Sequence, residues 1–191
     1  MKVVAINGSA RKDGNTAILV RKVFAELDAE GISTELIQLA GQEVRGCIAC
    51  FRCFQNKDRK CAVMGDFFSE CIVKMDEADG IILASPTYFA SVTAELKAVI
   101  DRAGLVGIAN DNMFARKVGA AVVSVRRGGA VTVFDTINHF FFIEEMVVPG
   151  SSYWNFAMGL HPGEVEEDEE GMKTMGNLGK NMAWLLKKLN G

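Results

Sequence analysis

The sequence predicts an α/β protein whose five-stranded parallel sheet lies between two layers of helices. Three observations carry that expectation. Short β-branched runs of strand length recur along the chain, the first being Lys2-Val3-Val4-Ala5-Ile6-Asn7. Between them stand longer segments whose apolar residues repeat at the spacing of one helix face. Strands and helices alternate throughout, the pattern of parallel strands joined by right-handed helical crossovers.

The first run ends at Gly8 and reads as a buried strand followed by a turn. A helix follows from Asn15, where Leu19, Val20, Val23, Phe24 and Leu27 share one face and Gly31 is placed to end it. Residues 34–39 form the second strand. After a cysteine-bearing stretch, Phe67, Phe68, Cys71, Ile72 and Met75 mark another helical stripe, which makes Cys71 a packing residue. A third strand is expected over residues 80–85, a helix over about 92–103 and a fourth strand over 118–125. A helix over 131–145 leads to a short fifth strand at 146–148, and the last helix covers roughly 171–189. Five strands in this rhythm suit a flavodoxin-like three-layer sandwich with sheet order 2-1-3-4-5. Its ligand site lies beyond the carboxyl ends of the strands, where the strand order reverses.

With 191 residues the chain is expected to form one domain, 1–191, with the cysteine stretch of about 44–65 as an insertion. Hydrophobic residues make up 49% and charged residues 24%, as in a folded globular protein. A net charge of −3 gives no electrostatic reason to expect nucleic acid. No apolar stretch approaches the roughly 20 residues that a membrane-spanning helix needs. The chain opens with Met1-Lys2 and an apolar run too brief for a signal peptide, so a cytoplasmic location with reduced thiols is expected.

The loop after the first strand, Gly8-Ser9-Ala10-Arg11-Lys12-Asp13-Gly14-Asn15-Thr16, combines glycines, hydroxyls and cations at a helix start. Backbone N–H groups there, with Ser9 and Thr16, can donate to phosphate oxygens, while Arg11 and the helix dipole favour the negative charge. The loop lacks both the Gly-x-Gly-x-x-Gly fingerprint and the Gly-Lys-Ser/Thr ending, so a monophosphate such as that of FMN fits better than a dinucleotide or a nucleoside triphosphate. After the third strand, Pro86 stiffens a loop in which Thr87 offers backbone donors and Tyr88 and Phe89 offer flat faces to a planar ring. After the fourth, Ser124, Arg127 and Gly128 stand where close backbone approach and positive charge would favour a reduced flavin.

Cys47, Cys50, Cys53 and Cys61 read Cys-x2-Cys-x2-Cys-x7-Cys. Three thiols at intervals of three residues can turn inward on one loop toward a polynuclear iron-sulfur centre. Structural zinc is the weaker reading, because neither His139 nor His161 stands near this stretch. A disulfide framework is weaker still, and free thiols without a cluster are the main alternative. The acidic run from Glu164 to Glu170 has no fixed ligand spacing and reads as a solvated loop.

Taken together these segments resemble the NAD(P)H-dependent FMN reductase group of flavodoxin-like proteins, and within it the iron-sulfur flavoproteins that add a compact cysteine motif. The matching pieces are Gly8-Ser9-Ala10-Arg11 with Asn15-Thr16, Cys47 to Cys61, Ser85-Pro86-Thr87-Tyr88-Phe89, Leu96-Lys97 to Asp101-Arg102, Arg127-Gly128-Gly129, Tyr153-Trp154-Asn155 and Asp168-Glu169-Glu170-Gly171. The resemblance implies that Ser9, Arg11, Asn15 and Thr16 hold the FMN phosphate and that the segment at Thr87 to Phe89 meets the ring. It implies an FMN oxidoreductase or electron-transfer flavoprotein, with a [4Fe-4S] cluster on Cys47, Cys50, Cys53 and Cys61 exchanging electrons with FMN. The alternatives are an NAD(P)H-dependent FMN or quinone reductase without a cluster, and a non-catalytic electron carrier. NAD(P)H or a ferredoxin is the expected electron source, and a homodimer or homotetramer the expected assembly.

Overall fold

A computed structural model describes residues 1–190. The elements run β1 (Lys2–Asn7), α1 (Asn15–Ala29), β2 (Ser33–Gln38), α2 (Arg52–Asn56), α3 (Phe68–Glu77), β3 (Gly80–Pro86), α4 (Ala94–Ala109), β4 (Val118–Val125), α5 (Ala130–Ile143), β5 (Phe156–Met158) and α6 (Glu169–Asn190), with a 3-10 turn at Glu164–Glu167 before α6. All pairings between named strands are parallel, in the order β2-β1-β3-β4-β5. The predicted fold class and strand order are those observed.

The central strands are buried on both faces, which is why they read as continuous apolar runs; all eight residues of β4 are buried. Two hydrophobic cores result. One joins the sheet to α3, α4 and α5 through Ile6, Leu83, Ile72, Leu96, Val99, Val133 and Phe141. The other joins it to α1 and α6 through Val3, Val20, Leu27, Val122, Leu178 and Met182. Among the described residues no helix is long and apolar enough to cross a membrane.

The fifth strand is the main correction. Residues 146–148 make only one bridge, Val147 to Val118 at the start of β4. Pro149 then interrupts the apolar run, and the chain leaves the sheet edge. It returns as Phe156–Met158, paired with Val123, Ser124 and Val125 at the far end of β4. The edge is thus divided between two segments, and the second delivers residues 159 and 160 to the carboxyl end of the sheet. The short α2 and the 3-10 turn likewise form where irregular loops are expected from sequence.

Candidate functional site

The loops leaving β1, β3, β4 and β5 enclose one crevice of about 190 Å3, lined by Ser9, Arg11, Asn15, Thr16, Pro86, Thr87, Tyr88, Ser124, Val125, Arg126, Gly159 and Leu160. It lies at the switch point, where the chain moves from one side of β1 to the other. The helix start on its floor is open. Gly14, at the N-cap of α1, has no side chain to cap with, and no carboxylate stands in the first turn. The positive end of the helix dipole is therefore offered to a ligand.

Side chains around this end are fixed by their own contacts. Ser9 is buried, its N–H donates to Asn7 Oδ1 (3.0 Å), and its Oγ accepts from Arg11 N–H (3.1 Å), which leaves the hydroxyl proton for another acceptor. Thr16 Oγ1 and Ser124 Oγ are 2.8 Å apart, tying α1 to the end of β4. Asn15 Oδ1 accepts from Gly163 N–H (2.8 Å) and holds the loop after β5 over the helix start. That closeness requires glycine at 159: a Cβ there would stand 2.7 Å from Val165 N and 2.9 Å from Asn15 Nδ2.

On the opposite side, Thr87 N–H and Oγ1 both donate to Ser124 O, at 2.9 and 3.1 Å. Tyr88 and Ser91 exchange backbone hydrogen bonds of 3.0 and 2.9 Å across a two-residue turn. Phe89 and Ala90 occupy it with φ of 49° and 57°, values that L side chains rarely adopt. The turn carries Phe89 outward into full exposure, so Tyr88 lines the crevice and Phe89 does not. Arg127 and Gly128 also lie outside the lining, where Arg126 stands instead. Val125, Arg126, Gly159 and Leu160 join the lining beyond the residues expected from sequence. Arg126 is adjacent to one of those expected, whereas Gly159 and Leu160 were hidden by the misplaced fifth strand.

The crevice fits a phosphorylated ligand. Its lining carries two guanidinium groups, Arg11 and Arg126, and no carboxylate. At about 190 Å3 it is smaller than the roughly 300–1,000 Å3 of sites that enclose a whole small molecule. It therefore suits a phosphate and its polyol tail, with a ring left to lie across the open rim at Tyr88.

The second cluster of chemistry is the cysteine loop. Cys47, Cys50, Cys53 and Cys61 line one small cavity with Ile48, Phe51, Ala62, Val63, Arg102, Leu105 and Val106. Cys47 and Cys50 are exposed, Cys53 is buried and Cys61 half-buried. Burial pushes the Cys53 thiol up, and Cys61 and Cys50 add to the effect. Four residues of this stretch, Ala49, Phe51, Lys57 and Arg59, have φ between 49° and 60°. Strain of that kind concentrates where a loop is shaped for a ligand. Cys71 stays apart, wholly buried in the core, with burial raising its thiol to about 12.

The donors fit an iron-sulfur cluster, and the space does so only after an adjustment. Among the described residues no three His, Cys, Asp or Glu side chains are gathered for one metal ion. A cube of iron and sulfide sets its thiolates wider apart than one ion does, and four thiols round a common cavity are its donor set. The cavity now measures about 20 Å3, little more than a water. A cluster needs more room than that, and Cys47 and Cys50 are the exposed members of the set.

The parallel sheet, its order and its open switch-point crevice define a flavodoxin-like α/β protein. The chain belongs to the NADPH-dependent FMN reductase family, whose model matches residues 1–161. It is 41% identical to an iron-sulfur flavoprotein of Methanocaldococcus jannaschii, over 98% of each chain. It is 32% identical to an iron-sulfur flavoprotein of Methanosarcina thermophila, over 97% of this chain and 95% of the other. Among solved structures, RosB with bound 8-demethyl-8-formylriboflavin-5′-phosphate superposes with a TM-score of 0.77 at 19% identity, covering 99% of this chain and 80% of RosB.

Proposed function

We propose that this protein is an FMN-dependent oxidoreductase whose crevice holds the flavin and whose cysteine loop carries a [4Fe-4S] cluster on Cys47, Cys50, Cys53 and Cys61. The observation that carries the flavin assignment is the uncapped start of α1, set among Ser9, Thr16 and two arginines at the strand-order switch. Ser9 and the first-turn N–H groups bind the phosphate, Arg11 neutralises it, and Asn15 keeps the loop after β5 closed on it. Tyr88 orients the ring at the rim, where Thr87, its N–H committed to Ser124 O, offers only its carbonyl, and Arg126 supplies positive charge beside it. FMN held here would supply two-electron acceptance and one-electron release, so the chain needs no acid–base pair of its own. The cysteine thiolates anchor the second centre as its ligands. NAD(P)H or a ferredoxin supplies the electrons, and a homodimer or homotetramer is the working assembly.

Anaerobically purified protein tests this reading. It should show flavin absorbance together with a broad band that bleaches on reduction, and about four irons per chain. A flavin spectrum with zinc or without iron would leave an FMN or quinone reductase with no cluster. Flavin bleaching by NADPH or NADH separates a reductase from a carrier reduced only through a ferredoxin.

A further inference from the structure

Arg102 projects from α4 into the cysteine loop and is only 1% exposed. Both terminal nitrogens are engaged. Nη1 donates to Arg45 O (3.1 Å) and to Asp66 Oδ2, and Nη2 to Val63 O (2.7 Å). The guanidinium carbon lies 4.0 Å from the centre of the Phe68 ring. These contacts join the chain before Cys47 to the chain after Cys61 and fix the plane of the guanidinium. Its Nε–H is left buried with no hydrogen-bond partner. An unmatched buried donor costs about 1–3 kcal/mol, and such exceptions in a native fold call for a physical reason.

The reason lies in the cavity. Arg102 lines the same small space as all four cysteines. Asp66 faces the guanidinium from the loop, and the Cys61 side chain meets it from the cavity. Sulfur is the acceptor chemistry that this wall of the cavity offers.

We propose that Arg102 is a positioning and tuning residue for the iron-sulfur centre, its Nε–H donating to a cysteinyl or inorganic sulfur once the cluster is in place. The inference rests on the cysteine loop holding a cluster. An N–H donor at sulfur stabilises the more negative, reduced state and raises the reduction potential. Asp66 neutralises much of the guanidinium's long-range charge, so the effect is that of a directed N–H group, and the site is specific to arginine. Lysine carries the charge but lacks the planar fork that reaches Asp66, two carbonyls and a sulfur together.

The test uses the full chain with its cluster, by two measurements that do not depend on turnover. Pulsed EPR of the reduced protein grown on arginine labelled with 15N only in the guanidino group should show a 15N coupling to the cluster, and absence of that coupling would overturn the proposal. In a redox titration, Arg102→Lys should retain its iron and shift to a more negative potential. An unchanged potential at full iron content would contradict the assignment. If Arg102→Lys does not fold, the labelled wild-type protein decides the matter. Failure of the wild-type chain to bind iron overturns the cluster reading itself, and the iron assay that accompanies each measurement separates that outcome from a failure of Arg102.

Discussion

Arg102 of α4 and Asp66 at the end of the cysteine loop form an ion pair in which both side chains are fully buried. Asp66 Oδ2 also accepts from Arg45 N–H (2.9 Å), and its Oδ1 has no partner. Burial pushes the Asp66 carboxyl up, but Arg102 and Arg45 outweigh it and hold the group below the usual carboxylate range. The pair fastens an otherwise irregular loop to the sheet side of the molecule.

Removing one partner leaves the other charged and buried. Asp66→Ala should lower stability by roughly 3–5 kcal/mol, read as a shift of the urea midpoint. The wild-type contribution should be present above the ordinary aspartate pKa and fade as pH falls through the depressed folded value. Equal stability of Asp66→Ala and wild type at pH 7 would show that the pair does not hold the loop.

Glu144, just after α5, is wholly buried with neither carboxylate oxygen hydrogen-bonded. Burial raises its pKa from 4.5 to about 7, with a smaller push from Glu145. It lies against α4 where Gly107 leaves room: a Cβ there would be 2.1 Å from Glu144 Oε2. Lys97, Asp101 and His139 line the cleft beside it. The folded state holds its proton longer than the unfolded chain, so stability is lost as pH rises from about 4.5 to about 7 and is level above that. Glu144→Gln should abolish this slope and stabilise the protein at pH 8 by about 1–3 kcal/mol. Parallel stability–pH curves for the two proteins would refute the assignment.

The turn at Phe89 and Ala90 stores strain that glycine or asparagine relieves. Replacing the two residues with Asn-Gly should raise thermal stability by about 1 kcal/mol, measured by calorimetry. A loss of stability would mean that Phe89 makes contacts outside the single chain.

Gly159→Ala places a methyl against Val165 N and Asn15 Nδ2. The loop after β5 must shift, and FMN affinity should fall about tenfold, the equivalent of roughly 1.4 kcal/mol. Fluorescence titration of the variant measures this directly, and an undiminished affinity would remove the loop from the site.

The fold was legible because five apolar runs alternate with helical stripes, and the central sheet obeys that pattern closely; β4 has the predicted bounds. The phosphate-binding end was legible too, since Ser9, Asn15 and Thr16 follow a strand and open a helix within one short loop. The edge strand was not, because Val147 and Phe156–Met158 share the work of one strand across a proline-broken excursion. Gly159 and Leu160 went unseen for the same reason. Phe89 shows the limit of composition: an aromatic beside a proline suggested a ring contact, but a turn with two positive φ values directs it to solvent. Arg102 stands in a segment that carries the family resemblance, but its place at the cysteine loop was hidden, because its partners Arg45, Val63 and Asp66 are 36 or more residues away in sequence.

The central claim is that the crevice binds FMN through its phosphate. Flavin-free protein titrated with FMN and with riboflavin, which lacks only that phosphate, tests it most directly. Charge-assisted hydrogen bonds of about 1.5–3 kcal/mol each predict FMN binding at least ~100-fold tighter. Arg11→Ala should remove about a tenfold part of that preference, leaving riboflavin affinity unchanged. Equal affinities for the two flavins, or an FMN preference untouched by both Ser9→Ala and Arg11→Ala, would contradict it.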